Sequence, residues 1–391
     1  MKIGIVTLVS DNYGNKFQNY AVEQILHQYG DIETFQLAEY PIKKSEMSLL
    51  SKLKFSYIRQ VLVSRMMYKY DITNAQRSII QNLLYVTRNK KNLLESQEAR
   101  HKKFIEFQSK YLHVSNKILD KDNCSDLEWQ NQYACFTVGS DQIWNPSYST
   151  TTELAFLNFV KNRPTIAIAP SFGISEIPEK DQLNFQNWLN KITYLSVREN
   201  AGKNIIRNLT EREAEVLVDP TMVLQKEKWE LLMQRPSNLP KRYVLCYFLG
   251  MVDREYKQYI EIQAKNKGLE IVELFNIEKP EYYILDPSEV LYCIRHAEIV
   301  YTDSFHGTIF SILFQKQFLV FERNESGAKM NSRLDTLLST FGLSGNTYDE
   351  GAKRKKQVDW CKVDAILTTE RERFTTYLER CMKKVGSEKS E

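Results

Sequence analysis

Apolar stretches recur along this chain, and most of them end in a short polar or glycine-bearing segment. The first, Lys2-Ile3-Gly4-Ile5-Val6-Thr7, meets the turn Asp11-Asn12-Tyr13-Gly14-Asn15. Apolar positions then follow at Phe17, Tyr20, Ala21, Ile25 and Leu26, a spacing that predicts a helix. A strand that delivers a polar glycine turn to a helix start is a usual geometry for holding an anion or polar ligand. Further strands are predicted at 134–138, 165–169, 194–197 and 215–218, ending respectively in Gly139-Ser140-Asp141, Pro170-Ser171-Phe172-Gly173, Arg198-Glu199-Asn200 and Asp219-Pro220-Thr221. Strands of this kind with helical connectors argue for a mostly parallel sheet, with its functional groups beyond the carboxyl ends.

A break at Gln234-Arg235-Pro236-Ser237-Asn238-Leu239-Pro240 precedes a second series. It comprises a strand at 243–250, a helix from Tyr256 to Lys267, and strands at 269–274, 297–301 and 318–321. Residues 44–118 are less strand-like and predict two to four helices, and 364–384 predicts another helix before a polar end. The expected organisation is an N-terminal α/β domain over 1–222 carrying the helical segment 44–118, a C-terminal α/β domain over 240–362, and a helix with a polar tail over 363–391.

Length and composition fit this picture. The 391 residues suit two domains, and the 42% apolar and 26% charged fractions are ordinary for a folded soluble protein. The start MKIGIVTLV reads as a buried strand and not a signal peptide, and no stretch approaches a membrane span. Six cysteines without C-x-x-C spacing read as reduced thiols, which points to the cytoplasm. The net charge of +4 is unevenly placed. Residues 41–110 hold fifteen Lys/Arg against five Asp/Glu, so that segment carries ten excess positive charges and the rest six excess negative ones. Such a basic segment suits a solvated helical face or reversible docking on an anionic membrane. No nucleic-acid-binding motif accompanies it, so nucleic acid is not an expected partner.

The candidate chemistry centres on Tyr301-Thr302-Asp303-Ser304-Phe305-His306-Gly307-Thr308, between an apolar run and a helix-like one. Asp303 or Ser304 is placed to cap that helix, whose free N–H groups would face an anion near the imidazole. Histidine exchanges a proton near neutral pH, so His306 reads either as a general acid or base or as a buried histidine bonded to a carbonyl. Arg198, at a strand end, suits a bidentate hold on phosphate or carboxylate, or else an ion pair with Glu199 or Asp219. In Gly139-Ser140-Asp141-Gln142-Ile143-Trp144-Asn145-Pro146, Asp141 could accept a hydroxyl proton. Trp144 could stack on a sugar or plug the core. The five histidines and six cysteines lack metal-ligand spacing, and neither G-x-G-x-x-G nor a P-loop is present, so neither a metal site nor nucleotide binding is supported by motif.

Five segments, taken in order, resemble the polysaccharide pyruvyl transferase family. They are Asp11 to Asn15 with Gln18-Asn19-Tyr20-Ala21, Val138 to Trp144, Leu195 to Glu199, Val218 to Thr221, and Thr302 to Thr308. The resemblance spans roughly residues 3–345, with 44–118 the least similar part. It implies two Rossmann-like α/β domains similar to the glycosyltransferase B architecture, with the site in the interdomain cleft. It also implies transfer of pyruvate from phosphoenolpyruvate to two hydroxyls of one sugar, as a ketal, on a surface polysaccharide or its lipid-linked precursor, with no metal or organic cofactor. His306 matches the family's histidine and becomes the general acid, with Asp141 as a second catalytic candidate. Arg198 matches the donor-binding arginine, and Ser304, Gly307 and Thr308 fall in the same donor region. Asn15, Gly14 and Trp144 are assigned to the acceptor side. Many relatives carry Arg-Leu before the histidine where this chain has Ser304-Phe305, and Arg333 is the candidate replacement for the missing cation. The competing readings are a glycosyltransferase with a nucleotide-sugar donor and a non-catalytic glycan-binding protein.

Overall fold

The computed structural model describes residues 1–38, 89–250, 252–323, 332–351 and 357–387, so the stretch 44–88 of the expected helical segment 44–118 lies outside the described residues. Strand β1 (Lys2–Thr7) is buried along its last five residues. It leads to helix α1 (Tyr13–Leu26), where the Asn12 side chain accepts from the N–H groups of Gly14 at 2.8 Å and Asn15 at 3.4 Å and so caps the helix. β2 (Asp31–Gln36) pairs parallel to β1, with Lys2 opposite Asp31 and Thr7 opposite Gln36. After helix α2 (Lys90–Tyr111), β3 (Cys135–Val138) lands on the other side of β1, and β4 (Thr165–Ala167) lies beyond it. Helix α3 (Glu179–Asn190), β5 (Ser196–Val197), helix α4 (Asn200–Thr210) and β6 (Glu215–Val216) continue the unit. The Ala167 N–H donates to the Tyr194 carbonyl at 2.9 Å and joins the parallel β5–β6 ladder to β4.

The short helix α5 (Pro220–Val223) leads into the second unit. There β7 (Tyr243–Tyr247), helix α6 (Arg254–Lys267), β8 (Glu270–Glu273), helix α7 (Pro287–His296), β9 (Ile299–Thr302), helix α8 (Phe305–Leu313) and β10 (Gln317–Val320) form a parallel sheet of order β10-β9-β7-β8. The cap of α7 is encoded locally: Asp286 and Glu289 bond reciprocally at 2.8 and 2.9 Å, and Pro287 occupies the first turn. Helix α9 (Ser332–Thr340) follows, then helix α10 (Trp360–Ser387).

Two parallel sheets flanked by helices are therefore the architecture, as the alternating pattern predicts. The strand at 215–218 is shorter than the apolar run, because Val218 and Asp219 already turn toward α5. In the first sheet the order reverses between β1 and β3, and in the second between β7 and β9. Loops leaving neighbouring strands to opposite sides open a crevice at each reversal.

The two units share one apolar interior. Phe17 of α1 meets Phe310 of α8 edge-on at 4.8 Å, and Trp229 contacts both rings at 6.1 and 4.9 Å. Each such aromatic pair contributes about 0.5–1.5 kcal/mol beyond its buried area. Helix α10 crosses back: Val363 and Leu367 pack against this interior, while Phe374, Tyr377, Leu378, Cys381 and Met382 pack on Ile3 and Ile5 of β1. Its i, i+3, i+4 spacing supplies that stripe. Arg100 of α2 adds a polar link, donating to the Tyr13 hydroxyl at 2.5 Å and the Tyr283 carbonyl at 2.8 Å. These contacts fix how the two crevices face each other. Among the described residues no helix is long and apolar enough to cross a membrane.

Candidate active site

A cavity of about 590 Å³ lies where the two crevices meet. The loop after β1 contributes Ser10 and the first turn of α1 Asn15, the turn after β3 contributes Asp141, and the turn after β9 with the start of α8 contributes Ser304, Phe305 and His306. Arg323 and Arg333, beyond β10, line it as well.

Asp141 also belongs to a buried ion cluster. Arg198 donates through Nη1 to Asp219 at 2.7 Å and through Nη2 to Asp141 at 2.8 Å, and its side chain is wholly enclosed. Asp141 also accepts from Asn15 Nδ2 at 2.6 Å. Burial opposes ionisation of Asp141, but the Arg198 guanidinium, with His306 and Arg333 behind it, more than compensates and holds the carboxyl at about 2. Asp219 is likewise held below its usual range: burial opposes ionisation, and the imidazole, Arg198 and the Thr221 N–H outweigh it. Glu199 goes the other way, because burial pushes it up more than Arg198 and Arg333 pull it down. One guanidinium thus serves two ionised carboxylates.

His306 sits at the second position of α8, and the Ser304 hydroxyl, accepting from the Gly307 N–H at 3.2 Å, caps that helix. Its Nε2 is buried without a hydrogen-bond partner among the described residues and lies 3.9 Å from Asp219 Oδ2. Burial pushes its pKa below the usual histidine value, opposed by Asp219 and Asp141. Its other edge rests on Gly14, where a Cβ would overlap Nδ1 and Cε1 of the ring. Gly14→Ala is therefore expected to push the imidazole out of register, with turnover reduced about tenfold or more and a stability loss of about 1–3 kcal/mol. Steady-state kinetics and urea unfolding of the purified variant check both.

Arg333 is buried, and burial followed by repulsion from Arg198 lowers it to about 10. With the Gln142 carboxamide oxygen turned toward it, Arg333 donates through Nη1 at 2.8 Å and Nη2 at 3.0 Å. No carboxylate of the described residues stands within ion-pair distance of it, and its Nε has no partner there. Arg323 is held differently, its Nε donating to Asp303 Oδ2 at 3.1 Å. Asp303 in turn accepts from the N–H groups of Leu249 at 2.6 Å and Gly250 at 2.7 Å, so it ties the turns after β7 and β9 together. A Cβ at Gly250 would occupy the space that the Arg323 stem uses. The face of Phe305 lies 4.3 Å from Arg198 Cζ and 5.6 Å from Arg333 Cζ.

The structure brings His306, Asp141, Asn15, Ser304 and Arg333 to one cavity. It places the other sequence candidates elsewhere. Trp144 is fully buried, stacked on Phe156 at 4.9 Å with its indole N–H donating to the Ala155 carbonyl at 2.9 Å, and no face is left for a sugar. Arg198 spends its two terminal nitrogens on Asp141 and Asp219, the ion pair that its position also allowed. The Gly307 N–H is taken by Ser304, and the Thr308 hydroxyl donates to the Ser304 carbonyl at 3.0 Å, so neither faces the cavity as an anion donor. Gly14 shapes the bed of His306 and does not line the cavity wall. Arg323 and Tyr148 are among the lining residues that escaped the sequence reading. Arg323 follows a strand at its carboxyl end, which is the positional signal that marks it. Tyr148 lies four residues past Trp144 on the same loop. Among the described residues, no group of three or more His, Cys, Asp and Glu is arranged to hold a metal.

Among solved structures, the chain is similar to a UDP-GlcNAc 2-epimerase from Methanocaldococcus jannaschii in complex with UDP-GlcNAc and UDP. Identity is 11%, coverage 97% of this chain and 100% of that one, and the TM-score 0.45. A UDP-glucosyltransferase from Polygonum tinctorium is similar at 10% identity, with coverage of 100% and 99% and a TM-score of 0.43. No curated protein matches the chain. The family profile described as polysaccharide pyruvyl transferase matches residues 12–325, a span that includes four of the five motif segments whole and all but Asp11 of the first. With most of its length matched and the motif residues Asn15, Asp141 and His306 drawn to one cavity, the chain belongs to the polysaccharide pyruvyl transferase family, and its activity is pyruvyl transfer onto a polysaccharide.

Proposed function

We propose that the chain takes its pyruvyl unit from phosphoenolpyruvate and closes it as a ketal over two hydroxyls of one sugar. The observation that carries this reading is the pair of cations, Arg323 and Arg333, that line one cavity with His306, Arg333 being free of any described carboxylate. The donor presents two anionic groups, a phosphate and a carboxylate, and two guanidiniums match that demand. Arg333 and Arg323 then supply the charge that many relatives place before the histidine, where this chain has Ser304. Arg198 acts from below, holding Asp141 and Asp219 in place.

In the proposed reaction His306 delivers a proton to the methylene carbon of phosphoenolpyruvate. Positive charge develops at the adjacent carbon, one sugar hydroxyl attacks it, and the bond to the phosphate oxygen breaks. The second hydroxyl then closes the ring. Of the two hydroxyl protons, one restores His306 and the other leaves with phosphate, so charge and atoms balance. His306 charges when the donor arrives, because a multiply anionic neighbour favours the imidazolium that burial alone disfavours. Asp141, held at about 2, is a weak base, so its role is to orient a hydroxyl together with Asn15.

Titration calorimetry with phosphoenolpyruvate tests the donor. Saturable binding is expected, and Arg333→Ala should weaken it about ten- to a hundredfold, as loss of a charged hydrogen-bond pair of about 1.5–3 kcal/mol implies. A nucleotide sugar is the second reading, favoured by a cavity of about 590 Å³ that is roomy enough for one. Binding of UDP-sugars with no response to phosphoenolpyruvate would decide for it. We further place the enzyme at the cytoplasmic face of the membrane, where the basic residues of 41–110 can meet anionic lipid beside a lipid-linked acceptor.

A further inference from the structure

Gln142, one residue past Asp141, is buried and lines the cavity. Neither the proposed proton transfer nor the ion cluster around Arg198 uses it. A guanidinium carries five N–H donors and no acceptor, so a side chain that meets it must present oxygen. Gln142 does this with its carboxamide, which accepts from Arg333 Nη1 at 2.8 Å and from Nη2 at 3.0 Å. The contact spans the two units, running from the turn after β3 to the second residue of α9.

What sets this contact apart is the charge of the partner. A buried arginine is ordinarily paired with a carboxylate. Arg198 follows that rule with Asp141 and Asp219, and Arg323 follows it with Asp303. Arg333 is buried as well, yet the partner that its two terminal nitrogens share is a neutral amide. Asp141 and Glu199 act on it only from beyond ion-pair distance. The amide therefore fixes the guanidinium and leaves its charge uncancelled. Each terminal nitrogen gives one N–H to Gln142 and keeps a second for another acceptor.

Gln142 is itself held in place. Gly173, at a φ of +69°, passes its carboxamide so closely that a Cβ there would overlap the amide and Asn145 Nδ2. The Asn145 N–H donates to the Gln142 carbonyl at 3.0 Å, and the Ser171 N–H donates to the Asp141 carbonyl at 2.8 Å. These bonds clamp the turn after β3 to the segment after β4.

We propose that Gln142 is a positioning residue for the donor site, holding Arg333 through a neutral acceptor so that its full charge remains for an anionic group of the donor; this rests on phosphoenolpyruvate being that donor. A carboxylate at position 142 would hold the guanidinium equally well but cancel the charge it offers. An apolar side chain would leave the charge and lose the hold. An amide meets both demands.

The test titrates phosphoenolpyruvate by calorimetry into wild type, Gln142→Glu, Gln142→Met, Arg333→Ala and the variant combining Gln142→Met with Arg333→Ala, with urea unfolding of each. Gln142→Glu should bind about ten- to a hundredfold more weakly than wild type, matching Arg333→Ala. Its unfolding midpoint should nevertheless stay at or above that of Gln142→Met, because a charged pair replaces the amide contact. Gln142→Met should weaken binding about three- to tenfold, and that loss should vanish in the Arg333→Ala background, since Gln142 acts through Arg333. A merely structural role would leave the Gln142→Met loss unchanged in that background. The assignment is overturned by that result, by Gln142→Glu binding within about twofold of wild type, or by Gln142→Glu unfolding more easily than Gln142→Met. Inorganic phosphate, titrated into the same proteins, separates this assignment from the choice of donor. If phosphoenolpyruvate fails to bind wild type while phosphate follows the expected pattern, the donor reading falls and the role of Gln142 toward Arg333 is upheld. If neither anion binds wild type, both are overturned.

Discussion

His306→Gln is expected to lower turnover by about a hundred- to ten-thousandfold, the range that a positioned proton donor supplies, with phosphoenolpyruvate binding and the fold largely retained. Glutamine keeps a polar side chain of similar reach but cannot carry a proton between two substrates. The pH dependence gives an independent check. In the free enzyme the imidazole lies below the usual histidine value, because burial outweighs the attraction of Asp219 and Asp141. An acid must be protonated to act, so kcat/KM should fall as pH rises through that lowered value. In the donor complex the added negative charge raises the imidazole, so the falling limb of kcat should sit at higher pH than that of kcat/KM. Profiles of His306→Gln measured beside wild type separate this limb from ionisation of the donor itself. A loss smaller than about tenfold, or a limb that persists unchanged in the variant, would remove His306 from the chemistry.

Arg198→Met should cost about 3–5 kcal/mol of stability, the penalty for leaving buried charges without their partner. Two carboxylates depend on that one guanidinium, Asp141 at 2.8 Å and Asp219 at 2.7 Å. The pH dependence should also change sign. In wild type both carboxyls lie below their unfolded values, Asp141 at about 2. Their contribution is therefore present above the unfolded carboxylate range and lost as pH falls through the lowered values. Without Arg198, burial dominates and both carboxyls rise above their unfolded values. The variant's deficit should then be largest at neutral pH and shrink as acid protonates them. Urea unfolding at several pH values measures this directly. Combining Arg198→Met with Asp141→Asn and Asp219→Asn should recover most of the loss, since the two carboxylates that Arg198 pairs are then neutral. Equal deficits at acid and neutral pH would show that packing on Phe305, 4.3 Å from the guanidinium carbon, and not charge is what Arg198 provides.

Much of the site's location was legible in the sequence because it is written in local terms. The apolar run 299–302 ends in a polar turn, and Ser304 caps the helix that carries His306. Each of these signals lies within a few residues. The same holds for the turn after β1, where Asn12 caps α1 and delivers Asn15 to the cavity. Assigning partners to those residues was harder. Arg198 had an anion or an ion pair open to it, and the choice fell to contacts 57 and 21 residues away in sequence. Trp144 and Tyr148 share one short loop and one kind of chemistry, and only the packing of Phe156 against the indole decides which ring meets the cavity.

By itself, then, the sequence determined the alternation of parallel strands and helices, the two series either side of 222–240, the turns at the carboxyl ends and the family motifs they carry. Periodicity, caps and turn chemistry act over a handful of residues, so a linear reading reaches them. Only the tertiary structure decided that Asn15 meets Asp141 across 126 residues, that Gly14 supports the imidazole, and that Arg323 and Arg333 both line the cavity with His306. Those outcomes depend on how the two crevices face each other. That orientation is set by the shared aromatic interior and the return of α10, through contacts between residues far apart in the chain.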